Sequence, residues 1–236
     1  MPRLRGLLGS MIGMASPRCC CMCSRRLGWR EGLFCPDCQS RMRFTDDVES
    51  PMDNATRWLV AGNADIERGA SFVDFVPHTP FAGLIYDLKY RSRPDLAHDI
   101  GVFAARETLA SGFFEGVDLL LPMPLHRLRE EDRGYNQSRE ICYGLNSVCH
   151  VAVCDADVVQ RMRNTPSQTT VAQERRLANL LGSFQVFRPE VLRGRHVMIV
   201  DDIITTGASV VACALELHNV PDVRVSFFTI GKTQSV

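Results

Sequence analysis

Apolar residues recur along the chain with two spacings, and together they predict a parallel α/β sheet flanked by helices. Residues 197–200 are apolar without interruption and rich in β-branched side chains, the pattern of a strand buried on both faces. From Ala208 to about Leu217, Val210, Val211, Ala214 and Leu215 return at helical spacing. A second buried strand is expected over 117–124, stopped by Pro122 and Pro124. The near-alternation of 72–76 predicts the first strand of the main domain, and 223–230 the last. Helices are expected over 81–90, with Leu84, Ile85 and Leu88 on one side, over 95–109, with Leu96, Ile100, Phe103, Ala104 and Leu109 inward, and through Ile141, Leu145 and Val148. Strands that alternate with helices imply a parallel sheet whose ligand sits at the carboxyl ends of the strands.

The strand at 197–200 leads into chemistry. Asp201 and Asp202 follow it, then Ile203 and Ile204, then the turn Thr205-Thr206-Gly207 and the helix that starts with Ala208 and Ser209. A helix N-terminus offers free N–H groups and the positive end of the macrodipole, so the turn suits a phosphate, with Thr205, Thr206 and Ser209 as hydroxyl donors. Gly207 lets a ligand approach the backbone closely. Two carboxylates beside a phosphate need a ligand that brings donors, and a ribose phosphate meets both demands. An apolar run followed by two aspartates also fits a Walker-B strand, but the chain has no Gly-x-x-x-x-Gly-Lys-Ser/Thr loop. These thirteen positions, 197–209, resemble the ribose-phosphate signature of type I phosphoribosyltransferases.

Composition changes the picture in three places. With 236 residues, 45% of them hydrophobic, one main domain with a small appendage is expected. The formal net charge is zero, and Lys89 and Lys232 are the only lysines among the 27 basic residues. Lys89 heads a basic cluster with Arg91 and Arg93 that either meets a diphosphate or forms a solvated helix end. No apolar run long enough to cross a membrane occurs, and residues 1–16 make a poor signal peptide, so a cytoplasmic protein is expected.

Ten cysteines raise the question of a disulfide scaffold, but their spacing favours a metal. Cys20 and Cys23 form one Cys-x-x-Cys pair and Cys35 and Cys38 another, eleven residues apart, close to a zinc ribbon. Four thiolates close a tetrahedral Zn2+ site, so its role would be structural. Cys19 and Cys21 leave the register of the first pair open, and Cys142, Cys149, Cys154 and Cys213 read as small core residues. Residues 1–43 hold eight arginines against Glu31 and Asp37, a knuckle that could touch nucleic acid or an acidic partner, but with no aromatic platform beyond Trp29 and Phe34 a solvated basic face is the favoured reading. Acidic residues then dominate 45–71, which reads as a linker.

Further motifs carry a more specific resemblance. Pro122-Met123-Pro124-Leu125 is followed by Arg133-Gly134-Tyr135-Asn136-Gln137-Ser138, then by Arg161, Arg163, Thr165 and Gln168 in the spacing Arg-x-Arg-x-Thr-x-x-Gln, and by Arg176, Asn179, Gly182 and Phe184. This set resembles the ComF family, competence-associated proteins that join an N-terminal zinc finger to a phosphoribosyltransferase domain. The resemblance implies a type I phosphoribosyltransferase-like parallel sheet and a phosphoribosyl transfer from 5-phosphoribosyl 1-diphosphate with Mg2+ to a nitrogen nucleophile. By the same resemblance Asp201 and Asp202 take the ribose, residues 205–209 the phosphate, the turn after Pro124 lies near the diphosphate, and Arg133, Asn136 and Gln137 face the site; Lys89 is a further candidate ligand from its basic cluster. Arg161 and Arg163 would cover the leaving group from a mobile loop, and single-stranded DNA or a competence helicase become candidate partners. His126 is too weakly placed to serve as a base. The expected organisation is a tail (1–17), a zinc ribbon (18–44), an acidic linker (45–71) and a phosphoribosyltransferase-like domain (72–236). Many family members carry another Cys-x-x-Cys in the linker, whereas this chain has no cysteine between Cys38 and Cys142.

Overall fold

The computed structural model describes residues 18–164 and 173–233, without the side chains of 173–176. Two compact units divide the chain, Met1–Met42 and Arg43–Val236. In the first, a turn after Cys20, where Ser24 N–H donates to the Cys20 carbonyl at 2.8 Å, is followed by the short helix α1 (Pro36–Gln39). Its proline at the first helical turn has no N–H to leave unsatisfied.

The second unit is built on a five-stranded parallel sheet with the order β1-β7-β6-β2-β3. Its strands are β1 (Gly69–Phe75), β2 (Leu119–Pro122), β3 (Ala152–Val153), β6 (His196–Ile204) and β7 (Arg224–Thr233), and a separate antiparallel ribbon pairs β4 (Val159–Arg161) with β5 (Phe184–Val186). Helices α2 (Ala55–Ala61), α3 (Pro80–Tyr90), α4 (Pro94–Thr108), α5 (Arg127–Arg133), α6 (Gln137–Cys149), α7 (Gln173–Leu180), α8 (Pro189–Leu192) and α9 (Ala208–Leu217) complete it. From β6 the chain moves outward to β7, and from β2 it moves the opposite way to β3. The connections therefore part between β2 and β6, and in an open α/β sheet that parting leaves a crevice at the carboxyl ends of the two strands.

Alternate residues of the central strands face opposite layers. Leu119, Leu121, Val197, Ile199, Val225 and Phe227 pack with Val210, Val211, Ala214 and Leu217 of α9. On the other side α4 and α6 cross closely, because each meets the other at a glycine. A Cβ on Gly144 would lie 2.1 Å from the His98 carbonyl oxygen, and one on Gly101 would lie 2.3 Å from that of Ile141. Such a crossing leaves no room for a methyl group on either helix.

Three expectations change. The strand at 197–200 runs on through both aspartates to Ile204, so the acids are rungs of the ladder rather than its end. Residues 45–71 are no linker but part of the second unit. Thr45 N–H donates to the Phe72 carbonyl, and Asn54 caps α2, its amide also donating to the carbonyls of Asp47, Ser50 and Gly69. Asp47, one of the acids of the expected linker, is 2% exposed and accepts from Lys232 Nζ at 3.1 Å, Thr56 Oγ1 at 2.5 Å and Ser71 N–H at 3.1 Å. A buried carboxylate is tolerable only with such partners. Finally, the zinc module expected over 18–44 ends at Met42, because Phe44 bridges to Val73 and packs edge-on against Phe72 at 5.2 Å. No helix among the described residues is long and apolar enough to cross a membrane.

Candidate functional site

The crevice between β2 and β6 gathers most of the residues singled out in the sequence. Past Ile204 the chain turns through Thr205 and Thr206 to Gly207, at φ 75° the N-cap of α9. Glycine is needed there twice, for the left-handed backbone and because a Cβ would stand 3.0 Å from the Leu59 carbonyl oxygen and from Val60 Cγ2. Thus α2, inside the segment expected to be a linker, buttresses the turn. No side chain caps α9, so the first N–H groups of the helix remain available to an anion.

Asp201 and Asp202 are adjacent on the strand, and each is bound by a side chain of a different helix. Asp202, 3% exposed, is paired with Lys89 of α3, Nζ to Oδ2 3.2 Å. Burial pulls the Lys89 pKa down, but Asp202 and Asp201 outweigh it and hold it above the ordinary value. Asp201 Oδ1 accepts from Ser138 Oγ at 3.0 Å and from the Asp202 N–H at 2.8 Å. Burial, with Asp202 beside it, pushes the Asp201 carboxyl up to about 7, against the pull of Lys89, the Asp202 N–H and Ser138. Asp201 is thereby poised near neutrality, and hydroxyl donors from a ligand would favour its ionised form.

The segment Arg133–Ser138 assembles the crevice. Tyr135 donates its hydroxyl to the Leu88 carbonyl at 2.5 Å and so holds the end of α3 beside Lys89. Asn136 donates to the Met123 carbonyl at 3.1 Å while its Oδ1 accepts from the N–H groups of Ser138 and Arg139. Gln137 accepts from Arg133, and both Asn136 and Gln137 are 3% exposed. The amide of Asn136 therefore works as a brace and helix cap. Next to it lies a cavity of about 300 Å3 between the turn after β2 and the β4–β5 ribbon, lined by Pro122, Pro124, Asn136, Asp155, Gln160 and Arg161 among others.

Arg161 differs from expectation. Arg161 sits on β4, opposite Phe184, with its guanidinium 5.6 Å from the ring, so a strand and an aromatic face hold it where a mobile loop was expected. Burial lowers its pKa, Arg129 adds to this, and Asp201 opposes. Arg163 is exposed just beyond the strand. Thr165 and Gln168 lie outside the described residues. Lys89 resolves its open question by pairing with the acid. Ser138, quoted in the motif but given no role there, is the residue missed, because nothing local signals a bond across 63 positions.

In the first unit the sulfurs of Cys20, Cys23, Cys35 and Cys38 lie within 4.8 Å of one another. Thiolates around one Zn2+ at about 2.3 Å stand about 3.8 Å apart, and the Cys23 and Cys35 sulfurs are 3.7 Å apart. The Cys35 N–H donates to Cys20 Sγ at 3.4 Å. Although burial opposes it, the N–H groups of Cys35, Cys23 and Met22 draw the Cys20 thiol down to about 6, towards the thiolate a metal needs. The donor set is consistent with structural zinc, and it settles the register, since Cys19 and Cys21 stand outside the cluster.

No family model matches the chain. Among curated proteins it is 32% identical over 151 residues to the DNA utilization protein YhgH of Escherichia coli K12 and of Shigella flexneri, covering 63% of this chain and 64% of theirs. It is 29% identical to competence protein F of Haemophilus influenzae over 93 residues, 39% of this chain and 40% of that one. This chain has homologues named for DNA utilization and competence. That bears out the ComF resemblance read from the motifs, and the match spans about two thirds of the first relatives' length without reaching it. Among solved structures, an adenine phosphoribosyltransferase aligns at 20% identity and a TM-score of 0.36, over 61% of this chain and 73% of that one. The Saccharomyces cerevisiae adenine phosphoribosyltransferase aligns at 17% and 0.36, over 64% and 89%.

Proposed function

We propose that the second unit binds 5-phosphoribosyl 1-diphosphate with Mg2+ and transfers its phosphoribosyl group to a nitrogen nucleophile. The observation that carries this reading is the acid pair on β6, braced by Lys89 and Ser138, running within one strand into the uncapped N-terminus of α9. The N–H groups and hydroxyls of residues 205–209 take the 5′-phosphate. Asp201 and Asp202 accept from the ribose hydroxyls, and the guanidinium of Arg161 lies on the side of the turn after β2, where a diphosphate would extend. The crevice suits a magnesium diphosphate, because two carboxylates, Asp202 alone of them paired with Lys89, would otherwise repel such an anion. When bound, Mg2+ neutralises the diphosphate as it departs. The residues of this chain position the anomeric carbon and stabilise charge around it.

A second reading makes the protein an accessory that binds the same ligand or single-stranded DNA without turnover. It is favoured by Trp29, 97% exposed in a knuckle that also carries Arg26 and Arg30, and by the names of the relatives. Calorimetry with phosphoribosyl diphosphate and Mg2+, followed by a pyrophosphate-release screen over bases and amines, separates the two. Release with any acceptor supports transfer. Binding without release, joined to salt-sensitive DNA binding lost on deleting residues 1–42, supports the accessory.

A further inference from the structure

We propose that Ser138 is a positioning residue of the crevice: its hydroxyl commits one oxygen of Asp201 to the protein and presents the other to the ligand. The inference rests on the ribose reading above for the identity of that ligand, and on geometry for the rest. Ser138 is wholly buried, and its Oγ donates to Asp201 Oδ1 at 3.0 Å. The same oxygen accepts the Asp202 N–H at 2.8 Å, so both its lone pairs are engaged and Oδ2 is left for a ligand hydroxyl.

A serine in the first turn of a helix is often explained by capping. That explanation fails here, because Asn136 is the cap and accepts the Ser138 N–H at 2.9 Å. The serine hydroxyl is therefore free to serve the acid. Its position is not adjustable either. Asn136 also donates to the Met123 carbonyl at 3.1 Å, and the Met123 N–H donates to the Val200 carbonyl at 2.8 Å, one residue before Asp201. A closed circuit of hydrogen bonds thus runs from β6 through the turn after β2 and the start of α6 back to β6. The acid cannot rotate without breaking it, and the turn after β2 cannot shift without moving the acid. The two halves of the crevice are held in one register.

The charged and titratable groups that act on Asp201 come from every neighbouring element: Asp202 on its own strand, Lys89 on α3, Cys142 on α6, Cys213 on α9 and Arg161 on the ribbon. Among the side chains, Ser138 and Lys89 are the groups that favour the ionised acid at short range, and Lys89 is itself bound to Asp202.

The test uses the full chain with 13C-carboxyl aspartate, titrating Asp201 by NMR in the wild type, Ser138→Ala and Ser138→Cys. Removing a hydrogen bond to a charged acceptor should raise the Asp201 midpoint by about one pH unit in the alanine variant, less in the cysteine variant. Affinity for phosphoribosyl diphosphate with Mg2+ at neutral pH should fall about tenfold and recover towards alkaline pH. Ser147→Ala, whose hydroxyl donates to the Gly144 carbonyl on the same helix, should leave the midpoint where it was. An unchanged Asp201 midpoint in a folded Ser138→Ala or Ser138→Cys chain overturns the proposal, whatever the ligand does. If the wild type does not bind phosphoribosyl diphosphate, the ribose reading fails, and the titration still decides the role of Ser138.

Discussion

Replacing Asp201 with asparagine should make the protein more stable while disabling its site. Asparagine keeps an Oδ1 for Ser138 and for the Asp202 N–H, so the hydrogen bonds at 3.0 and 2.8 Å survive and only the charge goes. The Asp201 carboxyl is shifted from 3.8 to about 7, chiefly by burial and then by Asp202. At about 1.4 kcal/mol per pH unit, the folded state bears an ionisation cost of roughly 4 kcal/mol above neutrality. Part of that cost is shared with Asp202 and Lys89, so a gain on the order of 2–4 kcal/mol is expected. Between about pH 4 and pH 7 the folded state holds a proton that the unfolded chain has released, so wild-type stability declines across this window and is level above it. The asparagine variant lacks the decline. Urea unfolding of both chains should therefore coincide near pH 4 and separate progressively up to pH 8. A gap that does not change with pH, or an asparagine variant less stable at pH 8, would refute the electrostatic reasoning.

Gly207→Ala combines a strained φ with contacts at 3.0 Å to the backbone of α2 and should cost about 1–3 kcal/mol in urea unfolding, with loss of ligand binding beyond what unfolding explains. Gly144→Ala drives a methyl group into the His98 carbonyl and should destabilise the α4–α6 crossing by at least as much, with no direct effect on a ligand held in the crevice. Removing zinc with a chelator, or Cys38→Ser, should unfold the first unit while the main urea transition keeps its midpoint, because a unit this small has little core of its own. Lys89→Met leaves Asp202 buried without its cation and should cost about 3–5 kcal/mol near neutral pH, most of it recovered when Asp202 is changed to asparagine as well.

The parts of the fold that were legible in the sequence are those set by local pattern. The apolar run of β6, the helical spacing of α9 and the two Cys-x-x-Cys pairs each announce themselves within about a dozen residues. Long-range pairing explains what was not legible. Asp47 reads as one acid among several, yet it is buried because Lys232 reaches it across 185 positions. That ion pair, together with the cap at Asn54, turns an apparent linker into the buttress of Gly207. The two aspartates read as a strand end because carboxylates are rare in buried ladders, and the ladder continues with Lys89 paired to Asp202 and Ser138 donating to Asp201. Arg161 reads as part of a polar loop, but the pairing of Val159–Arg161 with Phe184–Val186 across the intervening segment places it on a strand. In the first unit, sequence spacing leaves Cys19, Cys20 and Cys21 in competition, and only the convergence of four sulfurs selects Cys20.

The most direct test titrates phosphoribosyl diphosphate with Mg2+ into the wild-type chain and into a chain with Asp201 and Asp202 both changed to alanine. Saturable binding by the wild type, weakened by roughly a hundredfold or more in the double variant while the fold persists, is the expected result. Equal affinity in the two chains, or no binding by either, would contradict the claim that a strand-borne acid pair and a helix N-terminus hold the two ends of a ribose phosphate.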